Sequence, residues 1–279
     1  MDQKYRHELK YLVSQAQLSL LKVRIAPFMQ QDPHAPGGSY NISSLYFDDY
    51  YNTSYYENEN GTDPREKFRI RIYNHSPERI SLECKRKERG KTLKTTCLLS
   101  REQADRLISG QAGGVIKTQP QEKSGVQPES GIRTHAPNGL EAKTQDAFVT
   151  QSVNTAEETS PLLRKIRTQM LTRLLHPVVV VEYERAPFIY PNGNVRITFD
   201  TNMSSSDMTA HFLEGEGARR PIMPAGWHLM EVKYDEFLPD FIYRALNLGT
   251  LRQTTYSKYY LCRRYALKGH RTNNTRSEP

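Results

Sequence analysis

The stretch KFRIRIYNHSPERISLECKRK, residues 67–87, predicts two antiparallel strands with cations on one face and apolar side chains on the other. In the first strand, apolar residues at positions 68, 70 and 72 alternate with cations at 67, 69 and 71. In the second, apolar residues at 80, 82 and 84 alternate with polar residues, after a turn at 74–77. This alternation places one face on a protein core and leaves the cationic face pointing away from it.

Similar two-faced strands are predicted along much of the chain. They cover residues 5–13, 91–99, 178–186, 194–200 and 229–233, with a strand rich in aromatic and β-branched residues at 40–48. Each polar face, taken alone, is compatible with ordinary contact with bulk water. Because the pattern recurs on so many strands, it also fits one shared polar lumen, as a closed barrel provides. A lumen lined with Arg and Lys predicts a polyanionic ligand.

The composition limits the protein classes that fit. The chain has 279 residues and a net charge of +8, which favours an anionic partner: nucleic acid, an acidic membrane surface or a phosphorylated small molecule. Its three cysteines form no CxxC pair, so neither a disulfide framework nor a zinc ribbon is supported. The longest aliphatic run, Val178–Val181, is too short to span a bilayer, and no apolar signal region opens the chain. We therefore expect a cytoplasmic protein with no membrane segment of its own.

The composition changes abruptly in the middle of the chain. Between Gln111 and Ser160 the only aromatic residue is Phe148, while Gly, Pro, Gln, Ser and Thr dominate. We predict a disordered insertion, because such a segment buries too little apolar surface to offset its ordering entropy. It holds four basic and six acidic residues, so the rest of the chain carries +10. Residues 113–118 fail as a phosphate-binding loop, because Ile116 stands where the motif requires Gly.

Helices are predicted between and beside the strands. Apolar spacing and capping residues favour helices at 15–29, from Ser100 to about Ser109, at 161–175 and at 239–248. The Asn192-Gly193 pair predicts a hairpin turn, and residues 254–259 an extended or capping segment.

Eight short motifs follow one another in a fixed order. They are RHELKY (6–11), SLYFDD (44–49), REKFRIRIY (65–73), LECKRK (82–87), VEYERAPF (181–188), VRITFD (195–200), MEVKY (230–234) and YSKY (256–259). Together they resemble the VTC-type domain, the polyphosphate polymerase domain within the triphosphate tunnel metalloenzyme superfamily. The resemblance implies an α+β, mainly antiparallel fold: an eight-stranded closed tunnel barrel with flanking helices. It implies one catalytic tunnel domain over 1–270, interrupted by the insertion at 111–160, and a polar tail at 271–279.

The resemblance also implies roles for individual residues. The expected acidic ligand of a divalent metal, Mn²⁺ or Mg²⁺, is Glu231, whereas an ion pair with Lys233 or a tunnel Arg is the alternative reading. Glu8, Glu83 and Asp200 are alternatives or helpers. Expected to act on the transferred phosphates are Lys10, Arg69, Arg71, Lys85, Arg185 and Arg196. Lys94 and Lys258 are expected to bind substrate. Alternation along its strand points Lys233 into the tunnel as well, and Tyr183 is expected to form part of the tunnel wall.

The implied function is transfer of the ATP γ-phosphate to a growing polyphosphate chain. In phosphoryl transfer a protein mainly positions an in-line nucleophile and neutralises the charge on the phosphate oxygens. Arginine side chains and a hard metal ion do both. One alternative is a metal-dependent tripolyphosphatase or nucleoside triphosphatase, which admits water instead of a phosphate acceptor. Another is a non-catalytic module that binds polyphosphate or inositol phosphates.

Three further expectations concern the partners of the protein and the efficiency of chain elongation. No aromatic sheet face or recognition helix of the kinds that read nucleic acid is evident, so we expect no nucleic-acid partner. Regulation or export of product would come from partners, with a membrane protein as one candidate. Thr255 stands where eukaryotic members of the family tend to carry a second Lys, which predicts weaker chain elongation. Metal preference and oligomeric state stay open.

Overall fold

The computed structural model describes residues 5–111, 160–215 and 217–274. The ten strands are β1 (His7–Ser14), β2 (Gln30–Gln31), β3 (Tyr40–Asp48), β4 (Arg65–Tyr73), β5 (Ser76–Glu88), β6 (Lys91–Leu99), β7 (His176–Tyr190), β8 (Val195–Ser206), β9 (Arg220–Pro221) and β10 (Trp227–Tyr234). The six helices are α1 (Gln15–Ile25), α2 (Thr53–Glu59), α3 (Arg101–Ile108), α4 (Pro161–Arg173), α5 (Asp240–Leu246) and α6 (Lys258–Asn274).

The sheet is antiparallel and follows the order β1-β10-β8-β7-β3-β4-β5-β6, with short β2 and β9 beside β7 and β8. The predicted mainly antiparallel α+β fold is therefore confirmed. The predicted closed barrel is wrong, because the described residues pair the two edges of the sheet at a single bridge, between Arg6, just before β1, and Thr92 of β6. Beyond that bridge, the free edge of β1 pairs with Gln253 and Thr254 instead of β6. The result is a curled, open barrel.

Two apolar cores cover the outside of this barrel. One packs the outer residues of β3, β4 and β5 against α3 and α4, with fully buried Ile70, Leu82, Leu107 and Leu163 at its centre. The other packs β8 and β10 against α1 and α5, where Leu21 contributes to the buried stripe of α1. Because these cores take every second side chain of the strands, the alternate side chains point into the barrel.

Helix α6 fills one end of the barrel. Its residues Tyr259 and Cys262 pack against inner-face residues that include Val179 and Val181. The Tyr259 hydroxyl donates to the buried carboxylate of Asp48, at the end of β3. Asp48 also accepts from the backbone N–H groups of Ser54 and Tyr55 and so fixes the first turn of α2. One carboxylate thus ties both helices to the barrel wall.

The helices differ in how well local patterns predicted them. The capping box of Ser100 and Gln103 opens α3 as predicted, and α1 ends at Ile25, four residues before its predicted end. The turn predicted at Asn192-Gly193 joins β7 to β8. Neither α2 nor α6 was predicted, and α6 extends into the segment predicted as a tail, as far as Asn274. Residues 275–279 and 112–159, including nearly all of the predicted insertion, lie outside the described residues.

Candidate functional site

The inside of the barrel is a cluster of charged side chains supplied by alternate residues of the strands. Nine cations take part in the contacts there: Lys10, Lys67, Arg69, Arg71, Lys85, Lys94, Arg185, Lys233 and Lys258. Four carboxylates accompany them: Glu8, Glu83, Asp200 and Glu231. The cluster therefore holds an excess of five positive charges, which fits an anionic ligand.

Glu83 on β5 gathers three of the predicted cations. Its Oε2 lies 2.5 Å from Arg69 Nη2 and 3.8 Å from Arg71 Nη1, and its Oε1 lies 3.1 Å from Lys94 Nζ. Burial would raise the pKa of the Glu83 carboxyl, but the charges of Arg69, Arg71 and Lys94 outweigh it and hold the pKa well below its usual range. Glu83 is thus a fixed anion that orients the Arg69 fork.

A second group forms around Asp200 and Glu231, on the neighbouring strands β8 and β10. Arg185 makes two 2.7 Å hydrogen bonds to the two oxygens of Asp200, and its Nη2 lies 3.2 Å from Glu231 Oε2. Lys258 Nζ lies 2.6 Å from Asp200 and 2.8 Å from Glu231. Lys233 Nζ adds a 3.2 Å contact to Glu231. Burial raises the pKa of Glu231, but the four surrounding cations, led by Lys258, hold it well below its usual range.

Tyr183 joins the two groups. Its hydroxyl accepts a 3.2 Å hydrogen bond from Arg71 Nη2. The guanidinium carbon of Arg185 lies 5.2 Å from its ring centroid, and Lys258 Nζ lies 4.6 Å from it. Both distances are within the range of cation–π attraction. Tyr183, which was predicted to shape the barrel wall, therefore contacts three cations: Arg71, Arg185 and Lys258.

The fourth acidic residue, Glu8 on β1, binds two further predicted cations. Its carboxylate lies 2.7 Å from Lys85 Nζ and 3.3 Å from Lys10 Nζ. Lys10 also donates to the Tyr256 carbonyl and lies 4.0 Å from Glu231. Burial outweighs the attraction of Glu8 and lowers the pKa of Lys85 to about 8.

Arg196 stands apart from the other predicted cations. Its Nη2 lies 2.7 Å from Asp32 Oδ2 and donates a 3.1 Å hydrogen bond to the Tyr40 hydroxyl. In the described part of the chain, no ion pair joins Arg196 to Glu8, Glu83, Asp200 or Glu231. The structure thus brings ten of the eleven predicted site residues into one network and leaves Arg196 at its rim.

Lys67 is an inner-face cation that sequence reasoning did not select. Its Nζ donates to Asn58 Oδ1 over 2.8 Å and lies 5.0 Å from the Tyr259 ring centroid. Burial, together with nearby cations such as Arg65, holds the pKa of Lys67 well below its usual range. Its parity with Arg69 and Arg71 was the signal that could have identified it.

The acidic residues of the barrel suit only some kinds of divalent metal site. Within the described ranges, no group of three or more His, Cys, Asp or Glu side chains is arranged to hold a metal. Mg²⁺, however, is commonly bound by one or two carboxylates, with water and substrate phosphates as its other ligands. Glu231 offers carboxylate oxygen atoms at the centre of the cationic network. It therefore fits a metal site in which one carboxylate, water and the substrate phosphates are the ligands.

Comparisons with known proteins show to which family the chain belongs. The Hippeastrum protein HpAC1, described as having a dominant triphosphatase activity, is 12% identical, with a TM-score of 0.47 over 93% of this chain and 96% of that chain. The PH1012 protein of Pyrococcus horikoshii is 10% identical, with a TM-score of 0.40 over 92% and 97% of the two chains. No curated protein sequence matches significantly. The family model described as the VTC domain matches residues 5–267, and the chain therefore belongs to the VTC domain family.

Proposed function

We propose that this protein is a polyphosphate polymerase, which transfers the γ-phosphoryl group of ATP to the end of a growing polyphosphate chain inside the barrel. The observation that carries the proposal is the excess of cations over carboxylates, nine against four, in the charged network that the described residues form inside the barrel. A triphosphate with one divalent metal needs only a few of these charges. The rest, such as Lys85 and Lys94, suit a longer polyanion.

Arg69 and Arg71 are the proposed grip on neighbouring phosphates. They are two residues apart on β4, so their side chains leave the same face about 7 Å apart. Each guanidinium is a planar fork suited to two oxygens of one phosphate. Glu83 holds the Arg69 fork in place before substrate arrives, which reduces the ordering cost of binding.

Arg185, Lys258 and Lys10 are proposed to hold the reacting phosphates from the opposite wall. In the transfer, a terminal oxygen of the acceptor chain forms a bond to the γ-phosphorus, and the bond from that phosphorus to the β–γ bridging oxygen breaks. ADP leaves with the electron pair. The three cations stabilise the charge on the equatorial and leaving oxygens. When Mn²⁺ or Mg²⁺ is bound by Glu231 and substrate, it supplies further charge neutralisation.

The enclosed end of the barrel is proposed to limit access of water to the transferred group. Tyr259 and Cys262 of α6 fill that end with apolar and aromatic surface. The same observation favours a second candidate function. A barrel filled at one end leaves less room for a long product, and a metal-dependent triphosphatase handles only short substrates.

The activity test is incubation of purified protein with ATP and Mn²⁺, followed by separate measurement of polyphosphate on gels and of free phosphate. The proposal predicts polyphosphate longer than the starting triphosphate. Release of free phosphate without polymer would contradict it and support the triphosphatase. Binding of polyphosphate without turnover would support a non-catalytic module. Arg86→Met, at an exposed ion pair on the outer face of β5, is the matched control.

The proposed domain is one unit, residues 1–270, into which the segment 111–160 is inserted. ATP and polyphosphate are its proposed ligands. In the described ranges, no helix has the length and the hydropathy required to cross a bilayer. Cytoplasmic location and a membrane-protein partner for product export stay proposals.

A further inference from the structure

We infer that Tyr40 and Tyr73 form a binding site for the nucleobase of the nucleoside triphosphate, at the end of the barrel opposite α6. The inference deepens the proposed function and rests on it, since it assumes that a triphosphate occupies the cations of the inner face. It assigns a role to an aromatic pair that contributes no charge to the phosphate network.

The two tyrosines form an aromatic pair on neighbouring strands. Their ring centroids are 5.8 Å apart with an interplanar angle of 62°, an edge-to-face arrangement. Both side chains are half-buried, so each keeps part of its surface accessible. In an edge-to-face pair, each ring leaves at least one face uncovered by its partner, and such a face can stack on a flat heterocycle.

The pair lies next to the phosphate network on the side away from α6. Tyr73 follows Arg71 by two residues on the same face of β4, about 7 Å further along the strand. Tyr40 is the cross-strand partner of Arg185. The other end of β3 is Asp48, which binds Tyr259 of α6. A nucleotide whose phosphates contact Arg71 and Arg185 therefore extends its base toward Tyr40 and Tyr73.

The position of the Tyr40 ring is fixed by charged neighbours. Its hydroxyl accepts the hydrogen bond from Arg196, and Arg196 is itself held by Asp32, which is only 4% exposed. Asp32 also accepts from the backbone N–H of His34, so the loop after β2 is part of this support. Arg196, which the sequence predicted to act on phosphates, is thus inferred to be a positioning residue for the aromatic site.

Stacking recognises the flat face of a base and not its hydrogen-bonding edge. Base–aromatic stacking contributes about 1–3 kcal/mol per base, corresponding to roughly a five-fold to more than hundred-fold change in affinity. The site is therefore expected to accept any base, with purines bound more tightly than pyrimidines because they bury a larger ring area. Inorganic tripolyphosphate carries no base and gains nothing from it.

The experiment measures dissociation constants of ATP and of inorganic tripolyphosphate by titration calorimetry, with matched Mn²⁺. The variants are Tyr40→Leu, Tyr73→Leu and Tyr40→Phe, which keeps the ring but loses the hydroxyl. Tyr51→Leu is the matched control, because Tyr50 and Tyr51 form a similar edge-to-face pair on the surface, with Tyr51 77% exposed. Thermal unfolding identifies variants that fail to fold, and those are replaced by Tyr73→His, which retains a flat ring.

We expect both Leu variants to weaken ATP binding about ten-fold or more and tripolyphosphate binding less than two-fold. Tyr40→Phe should stay within about three-fold of the wild type for ATP, and the control should change neither ligand. Equal losses for the two ligands, or no loss for ATP, would overturn the inference while leaving the proposed function intact. If the wild type binds neither, the proposed function itself fails.

Discussion

Lys258, the first residue of α6, donates to Glu231 on β10 over 2.8 Å between Nζ and Oε1. This contact joins the helix that fills the barrel to the residue proposed to hold the metal. Burial opposes the charge of Lys258, but Asp200 and Glu231 outweigh it and raise the pKa of the ammonium. Lys258 therefore stays charged at all ordinary pH values and keeps its ion pair with Glu231. Because this ion pair joins α6 to β10, we expect substitutions of Glu231 to affect both the docking of the helix and catalysis.

The first prediction concerns Glu231→Gln. The amide keeps the shape of the side chain but removes the charged hard ligand, so turnover should fall by about two orders of magnitude or more. ATP should still bind, because the cations remain. The measurement is the rate of polyphosphate formation over a range of Mn²⁺ concentrations, beside the dissociation constant of ATP.

The control for this prediction is Glu8→Gln, which removes a buried carboxylate of the same network that contacts Lys85 and Lys10. If Glu231 is the metal ligand, only Glu231→Gln should require a higher Mn²⁺ concentration for half-maximal activity. A metal dependence identical to that of the wild type would show that Glu231 serves only as an ion-pair partner.

The second prediction concerns the proposed phosphate grip. Arg69→Ala and Arg71→Ala should abolish polymer formation, because each removes a guanidinium group that is proposed to bind a phosphate of the ligand. Arg71→Lys should retain weak ATP binding but little turnover, since Lys keeps the charge without the planar geometry. A surface role for these residues predicts near-normal activity in all three variants, which polyphosphate gels would reveal.

The third prediction concerns the ion pair of Arg69 with Glu83 and its contribution to stability. Glu83 is 2% exposed and depends on Arg69 for its shortest contact. Arg69→Met should lower the free energy of unfolding by about 1–3 kcal/mol, because a buried carboxylate loses a partner. The double variant Arg69→Met, Glu83→Gln should recover part of that loss. Arg86→Met, at an ion pair on the outer face, should change the free energy of unfolding much less in the same denaturant titration.

Lys85 supplies the fourth prediction, on pH. Its pKa is about 8 in the folded protein, against roughly 10.4 for an unperturbed Lys. Between these values the unfolded chain binds a proton that the folded protein has released, so the contribution of this group to stability rises with pH. Affinity for polyphosphate changes in the opposite direction, because the charged form binds the anion.

The measurement is polyphosphate affinity at pH 7 and pH 9.5 for the wild type and for Lys85→Arg, which remains charged throughout. The arginine variant should lose less affinity at the higher pH than the wild type. Lys67 and Lys233 also have lowered pKa values, so the comparison rests on the difference between the two proteins. An equal loss in both would assign the pH dependence to another group.

Much of the charged cluster could be predicted because the period of a strand is two. The alternation of Arg69 and Arg71 with Ile70 fixes which face each side chain shares, whatever the final curvature of the sheet. Contacts within a strand pair, such as Arg69 with Glu83, then follow from register. The sequence also predicted α3, whose start depends on a local capping box.

Features that depend on contacts outside the element itself were not predicted. Helix α2 begins where Asp48 accepts from its first N–H groups, and this residue lies outside the helix itself. Helix α6 is held by packing of Tyr259 inside the barrel, which no local pattern shows. The barrel stays open because Gln253 and Thr254 occupy the edge of β1, so closure could not be judged from strand patterns alone.

The last prediction tests the proposed insertion. Helices α3 and α4 flank residues 112–159 and pack on the same apolar core, where Leu107 and Leu163 are almost fully buried. Replacing these 48 residues with a Gly-Ser linker of about ten should leave the fold and the activity nearly intact. Each halving of a loop changes its closure free energy by only about 0.6 kcal/mol, so the free energy of unfolding should rise by roughly 1 kcal/mol. A Gly-Ser segment of the original length is the control and should match the wild type in denaturant titrations. Loss of soluble protein in both replacements would show that the natural segment contributes to the folded core.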